Sequence, residues 1–455
     1  MKRLPFPQLD VARDPERMIP ILQTHLRPAN GAAIDVQGCA VDYVRQSQGR
    51  LLLQYVVRLA EPASGRTWDQ RVTGVSYGED RTDSLVKRLL ARGAAATKPV
   101  GDPALLPLAY VSELDLMLQV FPYDHHLPAL ALLLHPSLAV TQSLLDGDAA
   151  DWTIEAWQAE VLRYRPDQRA AVRLDVRARH ASDDRLATPR AYAKVYADRE
   201  EGESAHRLQT ALWDASQHGE AGFTVAQPIA YVAPLRTMLL GEALGTRLLD
   251  LARRGESAEA TAAMRRAARA IAALHQTRLD GMLASARRDE RARLSEVAGM
   301  LREIAPDQAE TIDALTATIA AALGEASLAP THFDLKLGHV LIADDGVALL
   351  DFDKMALADP LIDVANLIAS LGTEREGSPQ RFKRRTVLAE VFLAEYLSHV
   401  PADWRPRLPA RFALATLAEA ATTGRGLRGR PGRDNRAPRV LAALRDAQET
   451  MTSGR

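Results

Sequence analysis

The sequence predicts an α+β chain, and three observations predict it. Short apolar runs with period-two alternation, bounded by Gly, Asp and Pro, cluster before Pro122 and again between Glu160 and Leu240. Longer segments with apolar residues at helical spacing dominate from Ala262 onward. A series of strands, helix and strands occurs twice, about 120 residues apart, which implies a duplicated lobe rather than a solenoid.

Length and composition bound the answer. The chain has 455 residues, enough for two or three domains, and is 47% hydrophobic and 25% charged, as an ordinary globular core requires. A formal net charge of −1 gives no case for bulk nucleic-acid binding, and 5% aromatics make base-stacking surfaces unexpected. One cysteine, Cys39, allows no intrachain disulfide, so a reducing, cytoplasmic compartment is expected, with Cys39 as a small core residue. The start MKRLPFPQLD has no long apolar region and does not read as a signal peptide. The most apolar run, Leu127 to Leu134, is too short to span a membrane, so no membrane partner is expected.

In chain order, a short helix is expected around Pro15 to His25. Strands follow at Ala40 to Arg45, Arg50 to Leu59 and Gln70 to Tyr77, with a helix around Ser84 to Leu90 and strands near Ala109 to Val111 and Asp115 to Phe121. The series then recurs. PLAYVSELDLML (Pro107 to Leu118) matches PIAYVAPLRTML (Pro228 to Leu239) at seven of twelve positions, where chance would give roughly one at ordinary composition. An offset of 119 pairs Arg50 with Arg169, Val57 with Val176, Tyr77 with Tyr196 and Arg88 with Arg207. Expected boundaries are 1–125 for the first lobe, 126–150 for a linker helix, 151–241 for the second lobe and 242–455 for a helical domain. In the second copy, Glu160 to Tyr164 and Arg169 to Arg177 read as a hairpin, and Arg190 to Tyr196 as a strand carrying Lys194. Asp198 and Glu201 have capping-box spacing before a helix with Ala205, Leu208 and Leu212 on one face. Further helices are expected at Ala262 to Gln276, Gln308 to Leu323, Gln380 to Val400, Leu408 to Thr423 and Pro438 to Met451. The basic, Gly-rich Gly424 to Arg433 reads as a solvated loop, with contact to an anionic substrate as the other reading.

The most informative stretch is Thr331 to Leu371. It reads as a loop, a strand (Val340 to Ile342), a turn rich in Asp and Gly, and a second strand (Val347 to Leu350) ending in Asp351-Phe352-Asp353. The hairpin sets Asp334, before its first strand, near Asp351, at the end of its second. One carboxylate can take a hydroxyl proton and the other can hold a divalent metal on a polyphosphate, and phosphoryl transfer needs little beyond positioning and charge neutralisation.

His332-Phe333-Asp334-Leu335-Lys336, then His339, a hairpin and Asp351-Phe352 resemble the catalytic segment of the protein-kinase-like fold. The continuation Ala358-Asp359-Pro360 with Asp363-Val364-Ala365 resembles the aminoglycoside phosphotransferase and choline kinase family. The resemblance implies a bilobal fold: a β-rich N-lobe and a mainly α-helical C-lobe, here preceded by a duplicated, degenerate N-lobe. It implies an ATP- or GTP-dependent kinase using Mg²⁺, or Mn²⁺, that phosphorylates a hydroxyl of a small-molecule acceptor: a sugar, amino sugar or amino alcohol. It assigns Asp334 as base, Lys336 as neutraliser of the transferring charge, and Asp351 as metal ligand. His332 would brace the loop and Asp363 would tie it down. Lys194 would hold the α- and β-phosphates, paired with Glu201 or Glu203. Met238 to Gly245, with Glu242, resembles the hinge that meets the adenine. Leu274-His275 resembles the end of a C-lobe helix, with His275 structural.

The sequence departs from the family pattern at several positions. His339 stands where Asn is usual, and imidazole suits Mn²⁺ or Zn²⁺ better than Mg²⁺. Phe333 and Asp353 each replace a usual Gly. No G-x-G-x-x-G precedes Lys194, where a phosphate-covering loop would stand, so the turn Tyr164 to Arg169 must cover the phosphates differently. Val75 occupies the first-lobe position of Lys194, so the first lobe is expected to be a cap, a homodimerisation surface or a substrate-shaping element. The competing readings are a catalytically inactive kinase-like scaffold and a protein kinase. Against the latter, Asp359-Pro360 follows Asp351 within nine residues, with no A-P-E segment between.

Overall fold

The computed structural model describes residues 6, 8–47, 49–78, 81–91, 105–217, 222–254, 257–279, 290–323, 328–372, 379–425 and 436–453. The chain is α+β and divides into two units. The first comprises Met1–Gly202 and Ile229–Leu239, and the second Glu203–Pro228, Leu240–Arg425 and Asp434–Arg455.

The first unit opens with helices α1 (Leu9–Ala12) and α2 (Pro15–His25). Asp14 caps α2 by accepting from the Glu16 N–H, and Pro15 occupies a first-turn position where no N–H is needed. Strands β1 (Asp35–Ser47), β2 (Arg50–Glu61) and β3 (Arg66–Ser76) lead to α3 (Arg81–Ala91), β4 (Leu108–Val111) and β5 (Leu116–Val120). They form one antiparallel sheet in the order β1-β2-β3-β5-β4. Alternation along β2 sends Leu51, Leu53, Tyr55, Val57 and Leu59 into a core with Met18 and Leu22 of α2, while Leu52 joins Val75 and Val86 on the α3 side. Cys39 packs against the α2-side core, and burial pushes its thiol up to about 12, so it stays an unreactive thiol.

Where the sequence suggests one linker helix, the chain forms two short ones, α4 (Ala129–Leu133) and α5 (Leu138–Leu144). Pro136 between them cannot continue a helix. Strands β6 (Trp152–Arg165), β7 (Arg169–His180), β8 (Leu186–Ala187) and β9 (Arg190–Tyr196) follow, then α6 (Arg199–Gln217). After β10 (Thr224–Val225), which belongs to the second unit, come β11 (Pro228–Val232) and β12 (Thr237–Leu240). The second sheet runs β6-β7-β9-β12-β11, with β8 against β7. Three strands, a helix, then two strands that insert in reversed order describe both sheets. Register agrees as well: Val75 pairs with Leu52, and Lys194 with Ala171, each residue 119 positions after its counterpart. Ala170, Val172 and Leu174 of β7 face a core with Leu127, Leu130, Leu133 and Val140.

The second unit continues with β13 (Thr246–Arg247), then α7 (Leu248–Arg253) and α8 (Ala258–Gln276). Ser257 caps α8 through the Ala260 N–H. Its buried stripe, Ala260, Ala263, Met264, Ala267, Ile271 and Leu274, lies at helical spacing. Helices α9 (Glu290–Ile304) and α10 (Ala309–Ala322) precede β14 (Ala329–Thr331), β15 (Val340–Ile342), β16 (Val347–Leu349) and β17 (Ala356–Ala358). In this unit one sheet runs β10-β16-β15-β13. Helices α11 (Leu361–Gly372), α12 (Pro379–Ser398), α13 (Leu408–Arg425) and α14 (Arg436–Ser453) close the chain. One core joins α8, α11 and α12 to the β15–β16 hairpin, and another joins α9, α10, α13 and α14. Among the described residues, no helix is long and apolar enough to cross a membrane. Most of the basic Gly-rich stretch, after Arg425, lies outside the described residues.

Candidate active site

The hairpin is held from three sides. β15 and β16 pair antiparallel, Val340 with Leu349 and Ile342 with Val347, and the Ala343 N–H closes the turn onto the Gly346 carbonyl at 3.0 Å. β10 adds parallel to β16 and β13 antiparallel to β15. Arg266 of α8 donates to the turn carbonyl of Gly346 at 2.9 Å. Gly245, at φ +132°, allows β13 to approach, because a Cβ there would stand 2.9 Å from the Ile342 backbone.

The loop before the hairpin is fastened to a buried carboxylate. Asp363, in the first turn of α11, is wholly buried and accepts the His332 N–H at 2.6 Å and the Phe333 N–H at 2.8 Å. His275 of α8 stands 3.1 Å from the same carboxylate and 2.8 Å from the Tyr396 hydroxyl. Burial, then Asp363, raises the Tyr396 phenol, so it donates to Nδ1 and leaves His275 Nε2–H for Asp363. His275 is therefore structural. His332 Nε2–H donates to the Leu350 carbonyl at 2.8 Å, tying the loop to the end of β16. Its Nδ1 faces the Asp334 N–H at 3.4 Å.

Two residues here adopt left-handed backbone, Phe333 at φ +68° and Asp351 at φ +70°. A residue with a Cβ costs about 1–2 kcal/mol in that region, which explains why Gly is usual at position 333. The Asp363 bond to its N–H and the Arg293 guanidinium 5.1 Å from its ring centroid hold Phe333 in place.

These constraints present Asp334 between two ammonium groups, Lys336 at 3.0 Å and Lys354 at 3.2 Å. Burial alone would raise the Asp334 pKa, but Lys354 and then Lys336 outweigh it and hold the carboxyl below its usual range. Asp334 is thus ionised at neutral pH and can accept a hydrogen bond from a hydroxyl. His339 Nε2 stands 3.8 Å from Asp351 Oδ2, and the ring stacks on His332 at 5.7 Å. Burial, followed by His332, lowers the His339 pKa to about 4, so the imidazole is neutral, and its buried Nδ1 has no hydrogen-bond partner among the described residues. A carboxylate and a neutral imidazole facing each other are donor types that would hold one divalent ion. The donor set favours Mn²⁺ or Zn²⁺ over Mg²⁺.

The geometry therefore brings Asp334 to Lys336, and Asp351 to His339. Lys194 belongs to the first unit, half-buried on β9. Of its two candidate partners, Glu201 is exposed, with its N–H on the Asp198 carboxylate at 2.8 Å, and Glu203 is half-buried. Glu242 is exposed just after β12, where the Gly241 N–H reaches the Gln227 carbonyl. Sequence reasoning missed Lys354, whose signal was its position three residues after Asp351. It also missed the anchor of α11. Asp359 accepts from Arg407 at 3.0 Å and from Arg411 at 3.0 and 2.8 Å, and Arg411 also pairs with Glu290.

Residues 175–407, just over half of the chain, match the model of the phosphotransferase enzyme family. No curated protein sequence matches the chain. Solved structures similar to it include an ethanolamine kinase from Plasmodium vivax, at 10% identity, TM-score 0.45, covering 83% of this chain and 97% of that one. A choline kinase from Cryptosporidium parvum matches at 11% identity, TM-score 0.46, covering 70% and 94%. An ADP-bound aminoglycoside phosphotransferase, APH(2″)-Ib, matches at 12% identity, TM-score 0.44, covering 65% and 94%.

Proposed function

We propose, from the premise that the chain belongs to the phosphotransferase enzyme family, that it moves the γ-phosphoryl group of ATP or GTP to a hydroxyl of a small molecule: a sugar, amino sugar or amino alcohol. The observation that carries this reading is Asp334, ionised and set between Lys336 and Lys354 on a loop fastened to Asp363. In this reading the acceptor hydroxyl donates to Asp334. The transition state of phosphoryl transfer is loose, so the hydroxyl need lose its proton only as the new O–P bond forms, and a carboxylate of low basicity serves. Lys336, and Lys354 beside it, neutralise charge on the transferring group. Asp351 and His339 would hold a divalent metal, which when bound supplies charge neutralisation on the polyphosphate. Lys194 would contact the α- and β-phosphates, and the segment at Glu242 would meet the base. We read the sheet of β1 to β5 as a second N-lobe without its lysine. The shared strand order and the matching registers of Val75 and Lys194 support that reading.

The second reading is a kinase-like protein that binds nucleotide without turnover. His339 at the usual Asn position, with a buried nitrogen that has no partner among the described residues, favours it. Calorimetric titration with ATP and GTP, each with Mg²⁺ and Mn²⁺, followed by turnover on a panel of hydroxyl acceptors, separates the two. The kinase reading predicts binding with at least one metal and turnover on at least one acceptor. Binding without turnover across the panel supports the scaffold, and no binding with either metal rejects both.

A further inference from the structure

The β6–β7 turn, Arg165-Pro166-Asp167-Gln168, sits where the family resemblance expects a phosphate-covering loop, yet the three residues at its tip and far side offer no free backbone donor among the described residues. Pro166 has no N–H. The Asp167 N–H donates to Asp124 at 2.8 Å, and the Gln168 N–H closes the turn onto the Arg165 carbonyl at 3.1 Å. The turn is instead fastened to the sheet and the segment that precede it. Asp124 is wholly buried. One of its oxygens accepts from the Tyr164 hydroxyl and the Asp167 N–H, and the other from the His126 and Leu127 N–H groups. The Asp167 side chain, fully covered, pairs at 2.7 Å with Arg50, the first residue of β2. Gln119 of β5 donates to Asp167 at 3.4 Å and accepts the His125 N–H at 2.8 Å. Tyr77 sits under the Arg50 guanidinium, with its hydroxyl 3.3 Å from His125 and 3.5 Å from His126.

The two imidazoles and the Asp167 carboxylate are close enough to ligate one ion. Arg50 already neutralises Asp167, however, so a second cation would meet a like charge. The cluster is better understood as a latch. Its members come from β2, the β3–α3 connection, β5 and the segment after it, and all converge on one turn of the following sheet.

We propose that the N-terminal sheet and the segment after it pin the β6–β7 turn through Arg50 and Asp124, and that these two are positioning residues for the nucleotide. This rests on the kinase reading, which places that turn over the phosphates. A glycine-rich loop would have to be ordered on binding. A turn ordered in advance avoids that cost. The N-terminal lobe then needs no lysine of its own, since its work is mechanical.

The test uses the full chain, with MgATP as probe. Arg50→Ala/Asp167→Asn removes the ion pair without stranding a buried charge, and Tyr164→Phe removes one hydroxyl while keeping the ring against Phe121. Each variant is expected to weaken MgATP binding, by about tenfold for the double variant, with Arg50→Lys recovering most of the loss. Amides of Arg165 and of residues 167–169 should exchange faster with deuterium in both variants, while amides in the α8 core keep their wild-type rates. Unchanged exchange of those amides would overturn the latch. Faster exchange with unchanged MgATP affinity would overturn the positioning role. A wild-type protein that binds no nucleotide removes the kinase reading and the positioning role together, and the exchange rates still decide whether the turn is pinned.

Discussion

The backbone N–H of His332 donates to the carboxylate of Asp363 at 2.6 Å, and this bond, from α11 to the loop, sets where the next two side chains point. Asp363 carries three donors in all, counting Phe333 and His275, and is fully buried, so nothing from solvent can replace it. Asp363→Asn keeps the shape but exchanges one acceptor oxygen for an NH₂ that opposes an N–H donor. It is expected to cost about 1–3 kcal/mol by chemical denaturation and to lower turnover more than nucleotide affinity. Wild-type turnover in this variant would show that the loop does not depend on the carboxylate.

Lys354 lies beside Asp334 but outside every motif the sequence offered. Because Lys354 leads Lys336 in holding the Asp334 carboxyl down, Lys354→Met should raise that pKa and move the acid limb of the turnover profile upward. The sign follows from the depressed value. The ion pairs contribute above the unfolded-state pKa and are lost as pH falls through the folded one. A pH–rate profile with the same acid limb in both proteins would contradict this electrostatic role.

His125 gives a separate signature in stability. Burial first, and then His126, lowers its pKa to about 4, against an ordinary value of 6.5. Between those values the unfolded chain binds a proton that the folded chain does not, so stability falls as the solution is acidified from about pH 6.5 to about pH 4. The full effect is on the order of 3 kcal/mol, set by the same interval of pKa. His125→Gln should flatten that part of the stability curve, and denaturation midpoints across this range would measure it. An equally steep curve in the variant would place the sensitivity elsewhere.

What was legible in the sequence was local. The β15–β16 hairpin follows from two apolar runs around an Asp-Gly turn, and Asp334 and Asp351 flank it within twenty residues. The helix α8 announces itself by its apolar stripe, while its cap at Ser257 came only with the structure. What escaped were contacts between residues far apart in the chain. Asp359 meets Arg411 across 52 positions, and Asp167 meets Arg50 across more than twice that, and no periodicity encodes either pairing. The dipeptide His125-His126 carried no signal, because its role depends on β5 and the β6–β7 turn arriving at the same place. Phe333 could be seen as a departure from the family pattern, but only its φ of +68° shows what that departure costs.

In the proposed reaction Asp334 orients and deprotonates the acceptor hydroxyl. The most direct measure of this role is single-turnover transfer from radiolabelled ATP to an accepted hydroxyl substrate, compared between wild type and Asp334→Asn, with MgATP affinity measured alongside. Transfer is expected to fall by roughly 10²–10⁴-fold while MgATP affinity stays within a small factor of wild type. Transfer at the wild-type rate in Asp334→Asn would remove Asp334 from the reaction.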